Sequence, residues 1–456
     1  RHRLDDQNKN PVPVKEREGT FYGWYIVGAM FFATFIGVGT RQGFGVFVKV
    51  WEEDFGVSVG LISVAAGIGW TVNGLIQPLS GRLTDAFGGR RVLIVSLALM
   101  GVGTIAIAAV PNVYVLIAVY GFFLSAAAGG VFPTPMTSVV SRWFQRKRGR
   151  AMSFVAAGGS AGGLIMVPFA AYLLIATDWR VAWLAMGAII LLLGLPLLAI
   201  VVRSDPADMG LEQDGGPEEE GEDSHSHGRP TIRVAPPLET KNWRDSFHSA
   251  PMWQLSLAFW VCGITTATIA VHFVRWAESE DISAGTAALA FGVLSAINGV
   301  GLILVGSISD LMPRKYLLGA VYWVRGLAFL ALMLLPGTTA LWAFAVLGGV
   351  SWLATVPLTT GLTADVYGLR NVGTINGLIN MAHQLGGGLA VVVAGFVFDI
   401  WDTYDPVFAA GAIFLGLAGL ASFAIRERKY SIRYQPMPEA TSLPPIPAAS
   451  AASDGD

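Results

Sequence analysis

Arg41 is a charged residue within an apolar segment, where a charged side chain indicates a functional role. It lies in FFATFIGVGTRQGFGVF (31–47), within a mostly apolar run from Phe21 to Val48. A guanidinium is costly inside a bilayer, so such a residue marks a functional site or reaches the headgroups. Its planar group binds a carboxylate through two parallel hydrogen bonds. We therefore interpret Arg41 as a carboxylate anchor in the outer half of a membrane, with headgroup contact as the competing explanation.

Two histidines inside apolar segments could carry a proton near neutral pH. One of them, His272, lies toward the end of its segment, where FVR (273–275) aligns with FVK (47–49), which follows Arg41. This alignment predicts that His272 faces Arg41 across an outer vestibule and helps to bind an anion. A histidine that is hydrogen-bonded at the membrane interface is the competing explanation.

The second histidine, His383, belongs to a polar stripe in TINGLINMAHQLGGG (374–388). Asn376, Asn380, His383 and Gln384 have the spacing of one helix face. A polar stripe inside a membrane faces the bundle interior or water rather than lipid. It predicts that His383, Asn380 and Gln384 contact a ligand, with His383 as a proton carrier. Hydrogen bonding between helices is the alternative.

Other buried polar or aromatic residues are weaker candidates for the same substrate site. They are Asn73, Gln77, Asn298, Trp352 and Thr360. Packing of the amides beside small glycines explains them as well as ligand contact does. Arg325, about 14 Å along its helix, fits a structural role in which it bonds neighbouring carbonyls or a loop carboxylate. No Asp or Glu lies deep in an apolar segment, so a proton carrier must be a histidine or the substrate itself.

The amino-acid composition indicates whether these residues lie in water or in a membrane. The chain is 53% apolar and 14% charged, with a mean hydropathy of +0.56, whereas roughly 25% of a soluble domain is charged. The single cysteine, Cys262, excludes an intramolecular disulfide and a cysteine-based metal cluster. We expect an all-α membrane protein in contact with lipid, with no metal, no cofactor and no nucleic-acid partner.

The apolar residues are grouped into segments long enough to cross a bilayer, which takes roughly 20 residues. Twelve such segments are predicted, at 21–48, 58–80, 91–110, 113–140, 149–176, 180–202, 252–276, 284–309, 316–336, 340–363, 372–399 and 406–425. The polar stretch 203–251 divides them six and six and is typical of a disordered acidic linker. The predicted domains are a tail (1–20), a six-helix bundle (21–202), the linker, a second bundle (252–426) and a disordered tail (427–456).

The lysines and arginines predict the orientation. Most of the 30 lie at the two termini, in the linker or in the loops on the same side, whereas Lys49, Arg180 and Arg275 lie on the opposite side. Basic residues are enriched in cytoplasmic loops. We therefore predict a multi-pass protein of the cell (inner) membrane with both termini in the cytoplasm.

The two bundles are related by an internal repeat. GRLTDAFGGRR (81–91) matches GSISDLMPRK (306–315), and the same shift of 225 positions relates Asn73 to Asn298. Parallel repeats of this kind occur in secondary transporters, with a binding site near mid-membrane between the halves. The charges of the loop could pair across the gap between the halves and stabilise one conformation. This predicted latch comprises Gly81, Asp85, Arg90, Asp310 and Lys315, and a simple tight turn is the alternative.

The loop GRLTDAFGGRR resembles the signature of the major facilitator superfamily. EGTFYGW (18–24) is similar to the entry motif of the monocarboxylate porters, and RWFQRKRGRAMSFVAAGGSAGG (142–163) resembles their second signature. The resemblance covers about residues 18–426, includes the oxalate/formate exchangers, and implies that the first helix lines a central cavity. The charge pattern of the animal porters is absent, since Asn298 and Leu302 replace their Asp and Arg in helix 8 and Gln42 replaces their lysine in helix 1.

These observations predict a carrier rather than an enzyme. The expected fold has twelve transmembrane helices in two parallel-repeat bundles, and the expected cargo is a small organic anion, most simply a monocarboxylate. Proton symport is favoured by the resemblance. Anion exchange and efflux of a hydrophobic compound are the alternatives. A membrane enzyme lacks a supporting motif, because GGSAGG (158–163) has no phosphate-loop lysine, and a sensor would need a further folded domain.

Overall fold

The computed structural model describes residues 20–144, 147–213, 236–309, 311–368 and 370–435, without the side chains of residues 303, 306 and 307. Twelve helices in these ranges are long and apolar enough to cross a membrane. They are α1 (Gly23–Phe55), α2 (Val59–Phe87), α3 (Gly89–Ile107), α4 (Val113–Trp143), α5 (Arg148–Ala176), α6 (Trp179–Val201), α7 (Ala250–Ser279), α8 (Ala284–Ser309), α9 (Arg314–Leu334), α10 (Gly337–Tyr367), α11 (Val372–Trp401) and α12 (Asp405–Phe423). The predicted twelve-helix fold is confirmed.

The helix ends differ from the predicted ones where the chain continues past the apolar core. The first helix was expected to end at 48, but a short 3-10 segment, Gly43–Phe47, leads into the polar helix Val48–Phe55. In contrast, the starts of α2, α4 and α6 coincide with capping residues. The side chains of Ser58, Asn112 and Asp178 accept hydrogen bonds from backbone amides of the first turns, which satisfies donors that have no partner within the helix.

Two helices, α4 and α10, are interrupted in their middle. The α-helix of α10 stops at Ser351 and resumes at Thr355. Proline has no backbone N–H, so Pro357 cannot bond the carbonyl of Leu353, which instead accepts from Val356. The helix in α4 is interrupted before Thr134, next to Pro133 and Pro135. Corresponding helices of the two halves are therefore both interrupted.

The two halves, α1–α6 and α7–α12, pack along three helix pairs. These are α2 with α11, α5 with α8, and α1 with α7. The approach of α2 to α11 is so close at Gly67 and Gly388 that a Cβ on either glycine would lie 2.7 Å from the carbonyl oxygen of the other. Larger residues cannot occupy these two positions in this conformation. Small residues allow such close approach between membrane helices.

Contacts between the halves lie toward one face of the protein. We name the face at which α1 begins and α7 begins the linker face, and the face at which both helices end the distal face. Toward the distal face, Asp399 of α11 accepts a 2.9 Å hydrogen bond from the amide of Gly60 in α2. Toward the linker face, a Cβ on Gly28 of α1, or on Gly373 or Gly377 of α11, would meet no atom within 4 Å. Within the described residues, the halves therefore meet at the distal face and through the middle of their helices, and space is open beside these three glycines at the linker face.

Candidate functional site

Arg41 lies one turn below the closed distal contact. The next turn of α1 touches α7, since a Cβ on Gly45 would lie 2.7 Å from the carbonyl oxygen of Val271. The side chain of Arg41 is partly exposed, and its guanidinium interacts with the hydroxyl of Tyr120 on α4. Its Nε atom is buried without a hydrogen-bond partner. Arg41 thus presents a partly exposed cation with unused donor capacity one turn from the contact of α1 with α7.

The residue after Arg41 faces the other half. Gln42 Oε1 and Ser295 Oγ of α8 both lie against Gly163 of α5, where an added Cβ would clash with them. The Gln42 oxygen is buried and has no hydrogen-bond partner. An unpartnered acceptor therefore lies where α1, α5 and α8 meet, one residue along the chain from Arg41, which contacts α4.

Four predicted amides form a cluster across the contact of α2 with α11. Gln384 Nε2 donates to Asn73 Oδ1 at 2.8 Å, and Asn380 Nδ2 donates to Gln77 Oε1 at 2.7 Å. Gln77 also donates to Asn73 at 3.5 Å. The structure brings these four candidates together, and they bond to one another. The competing explanation, hydrogen bonding between helices, accounts for these contacts, while their contact with substrate stays a prediction.

Asn298 has a similar place on the other contact between the halves. Its Nδ2 donates to Ser160 Oγ of α5 at 2.9 Å, and its Oδ1 accepts from the amide of Leu353 at 2.9 Å. Its repeat partner, Asn73, likewise reaches the interrupted helix of its own half by donating to the carbonyl of Ser125 at 3.3 Å. Both asparagines therefore link an interrupted helix to the opposite half.

Of the two histidines within the described spanning helices, His383 has a ring nitrogen without a hydrogen-bond partner. The imidazole is 8% exposed, lies 4.7 Å from the ring of Phe259 and 6.0 Å from that of Trp70, and has no partner at Nδ1. Trp70 follows Gly69, where an added Cβ would lie 3.3 Å from the ring of Tyr120. Because Gly69 and Trp70 are consecutive in α2, His383 and the Tyr120 partner of Arg41 lie at a similar depth.

His272 has a different environment from the one that its sequence suggests. Its Nε2 lies 3.0 Å from the carbonyl oxygen of Val391, and its Nδ1 lies 3.0 Å from the hydroxyl of Tyr404. A carbonyl only accepts, so Nε2 carries the proton and Nδ1 accepts from the tyrosine. Burial raises the pKa of Tyr404, so its hydroxyl keeps that proton. Both ring nitrogens bind within the second half, so this conformation does not pair His272 with Arg41.

Trp352 is the first residue of the interruption in α10, and Thr360 lies in the helix after it. The Trp352 ring is 4% exposed and packs on Phe291 and Phe344 within the second half. Thr360 is exposed. Arg325, predicted to have a structural role, is completely buried and donates to the carbonyls of Ser351 and Trp352. Cargo contact by Trp352 and Thr360 stays a prediction.

The predicted latch has different partners in this conformation. Arg90 donates to the carbonyl of Ala199 at 2.8 Å, and Lys315 donates to that of Phe423 at 3.2 Å. Both bonds stay within one half, so neither residue spans the gap here. Asp85 is exposed, and Asp310 lies outside the described residues. A Cβ on Gly81 would meet its neighbour at an ordinary 3.7 Å, so close approach does not require that glycine here.

Sequence reasoning missed three residues that the structure places at the site. They are Tyr120, the partner of Arg41, Ser160, the partner of Asn298, and Ser295 beside Gln42. Ser160 carried a signal, because GGSAGG is a polar interruption among small residues on α5. Tyr120 and Ser295 occur among apolar and small residues with no repeat partner of similar type, so only tertiary structure identifies them.

Comparison with known proteins identifies the class to which this fold belongs. The model of the Major Facilitator Superfamily matches residues 30–391 and 273–451. A solved bacterial homologue of the human lysosomal transporter Spinster, in an inward-facing and occupied conformation, superimposes with a TM-score of 0.70 at 14% identity, covering 92% of this chain and all of that one. The chain belongs to the major facilitator superfamily, whose members here are membrane transporters and not enzymes.

Curated relatives within this superfamily include carriers of small organic anions. The chain is 26% identical to a probable sulfoacetate transporter of Cupriavidus necator, covering 88% of this chain and 93% of that protein. It is 24% identical to monocarboxylate transporter 13 of Rattus norvegicus, covering 87% of each. It is 23% identical to the oxalate:formate antiporter of Oxalobacter formigenes, covering 81% of this chain and 84% of that protein.

Proposed function

We propose that this protein is a secondary active carrier of small organic anions, with monocarboxylates as the first class of cargo to test. The observation that carries the proposal is Arg41, a partly exposed guanidinium with an unpartnered buried Nε, one turn from the contact of α1 with α7. A carboxylate there would gain charge-assisted hydrogen bonds in a setting of low dielectric. The relatives that carry sulfoacetate, monocarboxylates and oxalate support this cargo class.

The cycle follows from the contacts of the two halves. With the termini in the cytoplasm, as the basic residues predict, the linker face is cytoplasmic and the described conformation opens inward. Cargo entering from that side reaches Arg41 just below the closed distal contact. Rocking of the halves would separate α1 from α7 at the distal face and close the linker face, which exposes the same site to the outside.

Proton symport is the coupling that we propose, with His383 as the carrier on the protein. Of the two histidines within the described spanning helices, it is the one with an unpartnered ring nitrogen, whereas both nitrogens of His272 are bound to protein groups. His383 lies at the depth of the Arg41–Tyr120 pair, so a cargo carboxylate and a proton on His383 would stabilise each other. Anion exchange is the second candidate, because Arg41 alone can bind a carboxylate without a titrating group.

The deciding experiment is uptake of labelled lactate, pyruvate, sulfoacetate and oxalate into proteoliposomes. Accumulation driven by an inward proton gradient supports symport, and uptake only into vesicles preloaded with a carboxylate supports exchange. A panel of neutral hydrophobic compounds serves to test efflux. Binding-competent protein that moves none of the four anions in either condition would contradict the anion-carrier proposal.

A further inference from the structure

Arg325 is a completely buried cation on α9, a helix that the proposed transport cycle does not otherwise use. Its Nη1 donates to Cys262 Sγ at 3.1 Å and to Thr266 Oγ1 at 3.4 Å. Its Nη2 donates to the carbonyls of Ser351 and Trp352. None of these partners is a carboxylate. A buried guanidinium without a carboxylate among these partners needs a reason to be there, since desolvating a charge is costly.

The reason lies in the interruption of α10. A helix that stops leaves its last carbonyls without amide partners, and these carry the negative end of the helix dipole. Arg325 binds the carbonyls of Ser351 and Trp352 at this end, and Asn298 binds the next amide, that of Leu353. Two side chains thus bind backbone groups of three consecutive residues at the interruption. The dipole of the preceding helix offsets part of the charge of Arg325.

The same interruption is connected to the other half of the molecule. Asn298 accepts from Leu353 and donates to Ser160 on α5 with the same carboxamide group. Ser160 lies on the α5–α8 contact, which continues toward the distal face through Gly163 and Gly292. A displacement of Leu353 would therefore turn the carboxamide of Asn298 and weaken its hydrogen bond to Ser160.

The internal repeat shows that only one half carries the cation. The shift of 225 positions relates Asn298 to Asn73, which also links an interrupted helix to the opposite half, through Ser125 and Gln384. The same shift relates Arg325 to Met100 on α3. The asparagine link is thus present in both halves, whereas the clamp on the carbonyls is specific to α10.

We propose that Arg325 and Asn298 form a joint that couples the interruption of α10 to the α5–α8 contact between the halves. Arg325 is a positioning residue in this joint. It holds the carbonyls of Ser351 and Trp352, which fixes the amide of Leu353 and, through Asn298, the hydrogen bond to Ser160. The joint thereby stabilises the conformation that is closed at the distal face, and it acts without contact between Arg325 and cargo.

The test measures the distance across the distal face in the full-length protein. Spin labels replace Glu53 on α1 and Glu280 after α7, which are both exposed and lie in opposite halves. Cys262, the single cysteine of the chain, is buried and bonds to Arg325, so it is kept in place, and the two introduced cysteines are the exposed thiols that take the label. Pulsed dipolar spectroscopy then gives the populations with the distal face closed and open. No cargo is needed, so failure of the anion-carrier proposal would leave this readout intact.

Four variants separate the joint from a general loss of packing. Arg325→Met introduces the residue of the equivalent position in the first half, and Arg325→Lys keeps a cation. Ser160→Ala removes only the hydrogen bond between Asn298 and Ser160 and leaves the groups at the interruption of α10 unaltered. Arg142→Met is the matched control, since Arg142 forms a 3.7 Å ion pair with Asp205 at the surface.

We expect Arg325→Met and Ser160→Ala to raise the ratio of open to closed distal face by about fivefold each, the weight of one net hydrogen bond. Arg325→Lys should lie between these variants and the parent, and Arg142→Met should match the parent. The combination of Arg325→Met with Ser160→Ala should add little to either one, because both act on the same bond. Unchanged populations in Ser160→Ala, or in folded Arg325→Met, would overturn the proposal. If Arg325→Met does not fold, Ser160→Ala decides.

Discussion

Gln384 and Asn73 join the two halves of this carrier through one hydrogen bond of 2.8 Å between their side-chain amides. Asn73 is 3% exposed, and its carboxamide also donates to the carbonyl of Ser125 within its own half. A buried amide that bonds two different helices must keep its orientation for both bonds to persist. The α2–α11 contact is therefore stabilised by side-chain hydrogen bonds as well as by the close packing of small residues.

Loss of this amide pair should weaken the α2–α11 contact. Gln384→Leu removes the donor and keeps a side chain of similar size, so we expect a loss of about 1 kcal/mol, the net value of a buried hydrogen bond. The apparent melting temperature of the detergent-solubilised protein should fall. Gln213→Leu, at an exposed position, is the control and should melt like the parent. Equal melting temperatures for all three proteins would refute a role for the pair in holding the halves together.

Substitution of Arg41 should abolish anion transport. Arg41→Gln removes the charge that we assign to the cargo carboxylate, and we expect uptake to fall at least about tenfold through a higher KM. Arg41→Lys keeps the charge without the planar pair of donors and should retain partial uptake. Arg180→Gln removes an exposed arginine, which pairs with Asp54 at 3.2 Å, and should leave uptake unchanged. Wild-type KM in Arg41→Gln would remove this residue from the binding site.

The distal contact contains an ion pair between the halves. Arg275 Nε of α7 lies 3.0 Å from Glu52 Oε2 of α1, and the guanidinium lies 4.6 Å from the ring centroid of Phe398. Arg275→Glu places two carboxylates together, so we expect the distal face to open more often, as measured by the distance between labels at positions 53 and 280.

Exchange of the two charges provides the control for this ion pair. Glu52→Arg combined with Arg275→Glu should return the label distances toward those of the parent, because attraction is restored even though the contact with Phe398 is lost. Raised salt should narrow the difference between parent and single variant, since these side chains are partly exposed. A double variant that stays as open as the single one would show that the ion pair does not set this balance.

The hydrogen bond between His272 and Tyr404 leads to a prediction about stability at alkaline pH. Burial raises the pKa of Tyr404, so its neutral form is favoured in the folded state. The contribution of the Tyr404 hydroxyl to the free energy of unfolding is present in full below the pKa of tyrosine in the unfolded chain, about 10. It is lost as the pH rises from there toward the pKa in the folded protein. Tyr404→Phe removes the hydrogen bond to His272 and should lower stability at pH 8 by about 1 kcal/mol. Melting curves between pH 8 and 11 should show this deficit shrinking above pH 10.

The global fold could be predicted from the sequence because a bilayer restricts it strongly. Spanning segments must be helical, so apolar length alone indicated the twelve helices. For a related reason, the sequence predicts that the stripe of Asn380, His383 and Gln384 faces the interior. In the structure all three side chains contact other side chains of the protein. The shift between Asn73 and Asn298 also predicted symmetric positions, although it gave no information on which groups they bind.

The rest depended on tertiary contacts that have no periodic signal. His272 was assigned to Arg41 from a match of flanking residues, but its ring orientation is fixed by Val391 and Tyr404. Helical periodicity predicts which way a side chain faces only when several polar residues recur on the same helix face. His272 lies among apolar residues and has no such neighbours. The interruption of α10 had a local signal in Pro357, but the binding of its carbonyls by Arg325 is visible only in three dimensions.

Arg90 and Lys315 each tie the start of one helix to the end of another within the same half, at Ala199 and Phe423. No described bond of these two residues crosses to the other half, and the halves meet through side chains that come from both. This arrangement suggests that each half can fold as a unit of its own. We expect a gene cut within the linker to yield two polypeptides that find each other in the membrane and restore a working carrier.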